Sequence, residues 1–328
     1  MMSALATHEL TKDYAVGFWR KRPYRALDNL TLEIEAGEVF GFLGPNGAGK
    51  TTTLKLLMQL VFPTSGRAEI FGRPLGDLSV KRRIGYLPEN PYFYEHLTAE
   101  ELLTYFAALF GYPRAECRAR AGRFLDEVGI GAERRLQLRK FSKGMLQRVG
   151  IAQALINDPE LVIFDEPMSG LDPLGRRDVR SLILRLRDRG CTVFFSSHVL
   201  SDAETLCSRV AILANGRLVT TGKLTDMLAF RASGWELVVA NAAEPAIAAL
   251  GAGVRRAVRI GDGRYLLELP LEPPPEHLLG ELTRSGARLM SLNPIRQTLE
   301  DFFVAQVSTP DARAPRRGPD DGPAEKAS

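Results

Sequence analysis

Apolar positions follow two different rhythms along this chain. Short unbroken apolar runs rich in branched and aromatic residues ("EVFGFLG", "ELVIFDEP", "CTVFFSSH") read as buried strands. "TTLKLLMQLV" and "EELLTYFAALF" instead space their apolar residues as a helix with one buried face does. Alternation of the two kinds predicts an α/β fold, a mainly parallel sheet with flanking helices. Further strand-like pieces ("GRAEIFG", "RIGYLPE") and a helical stretch over residues 98–136 separate the first helix from "FSKGMLQRVGIAQAL".

The rhythm changes after "RVAILANGRLVTTG". "WELVVA", "EPAIAAL", "RRAVRI", "RYLLELP", "EHLLGELTRSG" and "ARLMSLN" give strand, helix, strand, strand, helix, strand, and "TLEDFFVAQV" adds a last helix. That order is the split βαβ pattern. It predicts a large domain over residues 1–225 and a small α+β domain over 226–307. Residues 308–328 hold almost no large apolar side chains and are expected to be disordered.

Composition narrows the class only a little. A hydrophobic content of 45% with 25% charged residues is that of an ordinary soluble globular chain. The net charge of +4 is spread with both signs interspersed, so no nucleic-acid partner is expected. Cys117, Cys191 and Cys207 lie far apart in no ligand spacing, as reduced thiols of a cytosolic protein do. No apolar run approaches the roughly 18 residues of a membrane span. "MMSALATHEL" also lacks the basic and apolar regions of a signal peptide. The chain is expected in the cytosol, reaching a membrane only through a partner.

Three segments carry chemistry. "GPNGAGKTT" (Gly44, Pro45, Asn46, Gly47, Ala48, Gly49, Lys50, Thr51, Thr52) lies between a predicted strand and a predicted helix. Glycines there let backbone N–H groups turn inward around phosphate oxygens, and the helix start adds its positive end. Lys50 can neutralise the β- and γ-phosphates, and the Thr51 hydroxyl can sit on Mg2+. "LVIFDEPMSGLDP" ends a buried strand on Asp165, suited to the Mg2+ shell, and Glu166, placed to polarise water. A solvated acidic turn is the plainer reading of "DE" alone, and the phosphate loop upstream weighs against it. "FFSSHVL" puts His198 at the end of another buried strand, where a lone histidine is more often structural.

In the order phosphate loop, "FSKGMLQR", "LVIFDEP", "SGLDP", "SSH", the motifs over about residues 5–225 resemble those of ABC-type ATPases, the nucleotide-binding subunits of ABC transporters. That resemblance implies a fold with a mainly parallel core sheet, an antiparallel β subdomain and a helical subdomain. It implies a head-to-tail dimer, formed by a second copy or a paralogous ATPase, with two ATP molecules between the subunits. It assigns the phosphate loop to residues 44–52, the Mg2+-associated aspartate to Asp165, the catalytic base to Glu166, the γ-phosphate switch to His198 and coupling across the interface to Asp172. It also implies a separate integral-membrane permease, which places the ATPase on the inner face of the cell membrane.

Two positions depart from the family's commonest pattern. The signature, usually Leu-Ser-Gly-Gly-Gln, is here Phe141-Ser142-Lys143-Gly144-Met145, which keeps Ser142 and Gly144 but loses the glutamine. Glu89 in "GYLPEN" replaces the usual glutamine beside Mg2+ and water; it is still an oxygen ligand, with added negative charge. Both variants, and the small C-terminal domain, look like those of ABC-2-type exporter ATPases. Tyr14 best matches the aromatic adenine platform and Tyr24 is the second choice. "VGFWRKRPYRAL" reads as an inserted basic hairpin or loop, solvated or docked on anionic lipid or a partner. "NPYFYEHLT" falls where the family meets its permease, with core packing the plainer reading of Phe93 and Tyr94.

The expected function is hydrolysis of MgATP to ADP and phosphate to power an exporter. A rival class is a non-transport ABC ATPase acting on ribosomes or DNA. Ribosome-acting members usually carry two cassettes in one chain, whereas one phosphate loop occurs here, and the distance from Lys50 to Ser142 leaves no room for a chromosome-type coiled coil. A third reading makes the C-terminal domain a ligand sensor that gates the ATPase. Nothing in these motifs names the transported substrate.

Overall fold

The computed structural model describes residues 3–17, 22–227, 232–296 and 299–300. The basic residues at 20 and 21, all of "TLEDFFVAQV" except Leu299 and Glu300, and the 308–328 tail lie outside the described residues. The chain forms two compact units, with the sequence passing from one to the other at Leu224 and Thr225. Among the described residues no helix is long and apolar enough to cross a membrane.

The first unit begins with β1 (Ser3–Val16), β2 (Arg22–Glu35), β3 (Val39–Leu43), α1 (Lys50–Leu57), β4 (Ser65–Ile70), β5 (Arg73–Pro74), α2 (Leu78–Lys81) and β6 (Ile84–Leu87). It continues with α3 (Ala99–Leu109), α4 (Arg114–Glu127), α5 (Lys143–Leu155), β7 (Leu161–Asp165), α6 (Pro173–Asp188), β8 (Thr192–Ser197), α7 (Leu200–Leu206), β9 (Arg209–Ala214) and β10 (Arg217–Lys223). A short α8 (Leu224–Met227) begins at its last residue.

Six strands form the central sheet in the order β10-β9-β3-β8-β7-β6, all parallel except β10 at one edge. Every position of β3, β7 and β8 is buried, which is why these strands read as unbroken apolar runs. A second, antiparallel sheet has the order β2-β1-β4-β5. Leu5, Leu30 and Ile34 from it share one core with Phe40, Phe42 and Phe194 of the central sheet. The helical stretch over 98–136 divides into α3 and α4 at "GYP", because a proline disfavours helix in the residue before it. Thr98 and Glu101 cap α3 reciprocally, each side chain accepting from the other's backbone N–H.

The second unit contains β11 (Ala232–Ala240), α9 (Glu244–Ala249), β12 (Arg256–Gly261), β13 (Arg264–Pro270), α10 (Glu276–Arg284) and β14 (Arg288–Arg296). Its sheet has the order β12-β13-β11-β14 with every pair antiparallel, so two strand–helix–strand crossovers interleave. Leu237, Val239, Leu267 and Leu269 recur at every second position and bury one face against Ile247, Leu278 and Leu282 of the helices.

Strand order sets up the site. β7, β8 and β3 are neighbours running the same way, so Asp165, Ser197 and Leu43 end at one edge of the sheet. α5 is held against β6 at Gly85, where a Cβ would lie 1.9 Å from the Ala154 carbonyl oxygen. Asn157 secures the same junction by donating to the Arg82 and Ile84 carbonyls at 2.8 and 3.2 Å. Gly85→Ala should therefore force backbone apart and lower stability by roughly 1–3 kcal/mol. A thermal melt should register this as a reduced Tm; a melt identical to the parent would contradict the packing.

Candidate functional site

The loop from Gly44 to Gly49 joins β3 to α1. Its first residue is tied to the neighbouring strand, the Gly44 N–H donating to the Ser197 carbonyl at 3.3 Å. At the helix start Gly49 has φ +110, and a Cβ there would lie 2.6 Å from the Ala26 carbonyl oxygen, so only glycine fits. Having no side chain, it leaves α1 without a side-chain cap. The first-turn N–H groups of a helix have no partner within it and favour an external anion.

Lys50 is buried, 6% exposed, and folds back over this loop. Its Nζ donates to the carbonyls of Gly44 at 2.7 Å and Pro45 at 3.3 Å, and lies 3.3 Å from Glu166 Oε1. The other oxygen, Glu166 Oε2, lies 2.8 Å from His198 Nδ1. Glu166 has φ 51, a left-handed conformation uncommon for a residue with a long side chain. Such strain persists where surrounding contacts over-determine it, and it gathers at functional sites. Phosphate loop, carboxylates and histidine thus converge from β3, β7 and β8.

Asp165 lies behind them, fully buried. Its Oδ1 accepts a 2.6 Å hydrogen bond from the Ser196 hydroxyl, while its Oδ2 is buried with no hydrogen-bond partner. Burial pushes the Asp165 pKa up, the Ser196 and Thr51 side chains pull it down, and the charges of Glu89 and Glu166 push it up again. A divalent cation would relieve both the bare oxygen and the crowding of negative charge. Among the described residues no three His, Cys, Asp or Glu side chains form a metal cluster of their own. Thr51, Glu89 and Asp165 would therefore hold such an ion together with oxygens of a bound phosphate, as suits Mg2+.

A cavity of about 400 Å³ opens over the loop, lined by residues 46–52 together with Tyr14, Tyr24, Ala26, Glu89 and Glu166. Tyr14 and Tyr24 are direct cross-strand partners on β1 and β2, so both of the aromatics singled out in the sequence stand at the same cavity. Lys12 Nζ lies 5.1 Å from the centre of the Tyr14 ring.

Ser142, Lys143, Gly144 and Asp172 do not join this group. They line a second cavity of about 420 Å³ with Met145, Gly170 and Leu171, and the two cavities have no lining residue in common. Ser142 caps α5, accepting from the Met145 N–H at 3.2 Å, and Asp172 caps α6, accepting from the Gly175 N–H at 2.8 Å. The Lys143 side chain lies over Gly170, where Cε and Nζ would both be 2.9 Å from an added Cβ.

Two contributors were not singled out in the sequence. Ser196 bonds Asp165 and also accepts from the Glu166 N–H at 2.9 Å; its only signal was a hydroxyl inside an apolar strand. Gln147, buried on α5, donates to the Pro167 carbonyl at 3.1 Å and ties the signature helix to the turn after Glu166. In "NPYFYEHLT" the aromatics divide, with Phe93 in the core and Tyr92 and Tyr94 exposed.

Comparison with known proteins points the same way. The ABC transporter family model matches residues 27–169. An uncharacterised ABC transporter ATP-binding protein of Synechocystis sp. is 44% identical over 93% of this chain and 85% of its own length. The daunorubicin/doxorubicin resistance ATP-binding protein DrrA of Streptomyces peucetius is 33% identical over 87% of this chain and 89% of its own. A solved ATP-binding cassette, described as a dimer in a post-hydrolysis state bound to ADP and Pi, is 28% identical with a TM-score of 0.62, covering 67% of this chain and 98% of that one. With the phosphate loop, carboxylate strand and histidine gathered at one sheet edge, the chain belongs to the ABC transporter family of ATP-binding proteins.

Proposed function

We propose that this chain is the ATPase subunit of an ABC-2-type exporter, working as a head-to-tail dimer on a separate membrane permease. The observation that carries the dimer is the separation of the two cavities. Ser142 and Gly144 stand at the start of α5, away from the phosphate-loop cavity of their own chain. A second copy, or a paralogous ATPase, would bring its signature segment to the phosphates and complete each site. The resistance named in the Streptomyces relative supports export as the direction of transport. Contact with that permease would place the working enzyme on the inner face of the cell membrane.

In this reading the loop N–H groups and Lys50 hold the β- and γ-phosphates, and Tyr14 with Tyr24 carries the adenine. Thr51, Glu89 and Asp165 hold Mg2+, which neutralises phosphate charge. Glu166 orients and deprotonates the attacking water, with His198 fixing its carboxylate and sensing the γ-phosphate. Lys50 leaves Glu166 for the phosphates when ATP enters, which frees one carboxylate oxygen for water. Asp172 couples the two sites through α6, whose start it caps. Tyr92 and Tyr94 offer exposed aromatic surface for the permease.

Removing the proposed base tests the chemistry. Glu166→Gln should keep MgATP affinity within a few-fold while lowering single-turnover hydrolysis by about 10²–10⁴-fold. Near-normal hydrolysis in that variant would refute the assignment. The unusual pair Glu89 and Lys143 is expected to offset charge across the composite site. A double-mutant cycle of Glu89→Gln and Lys143→Gly on ATP turnover should show a coupling of at least roughly 0.5 kcal/mol. Additive effects would remove that pairing.

A further inference from the structure

Ser196 occupies a position where a hydroxyl is costly. All six residues of β8 are buried, Ser196 follows Phe194 and Phe195, and Ser196 itself has no exposed surface. An unpaired hydroxyl in such a place would cost several kcal/mol of solvation, roughly 1–3 on the scale of protein mutations. Ser196 is instead bonded in both directions. Its Oγ donates to Asp165 Oδ1 at 2.6 Å and accepts from the Glu166 N–H at 2.9 Å.

Register makes this possible. Asp165 is the parallel partner of Ser196, so the two side chains leave adjacent strands at one level. β7 ends at Asp165, and Glu166 turns to φ 51, outside the ladder that would otherwise take its N–H. The Ser196 hydroxyl supplies the acceptor which that turn requires. Engaging Oδ1 also prevents the Asp165 carboxylate from rotating, and leaves the unpartnered Oδ2 as its free oxygen. At the far end of Glu166, Lys50 and His198 hold the carboxylate.

We infer that Ser196 is a positioning residue for hydrolysis, a single buried hydroxyl that fixes the metal-side carboxylate of Asp165 and the backbone of Glu166 in one relation. The inference rests on the roles proposed for Asp165 and Glu166. It goes beyond them because Ser196 does not line the cavity over the loop and acts through both residues. A serine that merely ends a strand would make the same two bonds, so the test must separate positioning from folding.

Ser196→Ala in the full chain, alone and combined with Glu166→Gln, provides that separation. Turnover should fall by about 10–100-fold in the otherwise unchanged protein. In the Glu166→Gln background, at saturating MgATP, the further loss should be at least about fivefold smaller, because one of the two residues that Ser196 positions is already disabled. Equilibrium binding of a fluorescent ATP analogue, with Mg2+ and with EDTA, gives a readout free of hydrolysis. The gain in affinity that Mg2+ confers should shrink by at least about fivefold, with the EDTA affinity unchanged. Equal losses of turnover in both backgrounds, or equal losses of affinity with and without Mg2+, would overturn the inference and leave Ser196 as a folding residue. Near-normal turnover of Glu166→Gln alone would instead refute the base, and the Mg2+ comparison would still decide the hold on Asp165. If Ser196→Ala does not fold, Ser196→Cys keeps the volume, replaces the hydroxyl with a weak donor and carries the same expectations.

Discussion

The Lys50 ammonium lies 3.3 Å from the Glu166 carboxylate, and both side chains are almost wholly buried. Two desolvated charges cost several kcal/mol each unless geometry and further hydrogen bonds compensate them. Here the compensation comes from the sheet. The loop leaving β3 presents the Gly44 and Pro45 carbonyls to the ammonium, β8 presents the Ser196 hydroxyl to the Glu166 backbone, and His198 just past its end meets the carboxylate. All of this requires β3, β8 and β7 to be parallel neighbours ending at one edge. The glycine-only approach at Gly49, the left-handed Glu166 and the apolar strands behind them all serve that arrangement.

Such a pair is poised rather than settled. A triphosphate brings more negative charge than Glu166 and would compete for Lys50, while a divalent ion would meet the bare oxygen of Asp165. Phosphate entry and release of the proposed base are then one event. The signature segment stands outside that event within a single chain, since its cavity, where Ser142 and Asp172 cap α5 and α6, shares no lining residue with the cavity over the loop. Hydrogen-bonded caps place the starts of two helices firmly, and a preformed anion-facing surface of that kind suits a nucleotide delivered by another subunit. Gln147 connects this surface to the turn after Glu166, so a shift of α5 would be felt at that turn.

Much of the architecture was legible in the sequence, for a physical reason. Strands buried on both faces write themselves as "VFGFL", "LVIFD" and "TVFFSS", and a phosphate loop needs glycines at fixed spacing. The paired carboxylates and the histidine were visible because charged or polar residues at the ends of apolar strands are conspicuous. Ser196 was not, because a hydroxyl one strand away from its carboxylate partner becomes meaningful only once register is known. Tyr14 and Tyr24 competed as adenine platforms in sequence, whereas the β1–β2 register sets them side by side. Phe93, Tyr92 and Tyr94 are alike in composition and separate only through burial. The position of the Lys143 side chain over Gly170 likewise depends on how two loops meet, which its place in the signature does not reveal.

In the proposed dimer each chain holds half of each catalytic site. The most direct test is the structure of the Glu166→Gln protein bound to MgATP, read at the γ-phosphate. Each γ-phosphate should be held by Lys50 and the loop of one copy, with the Ser142 hydroxyl and Gly144 N–H of a second copy within hydrogen-bonding distance. A nucleotide whose phosphates are contacted by a single chain, with the signature segment of every copy remote from it, would contradict the account.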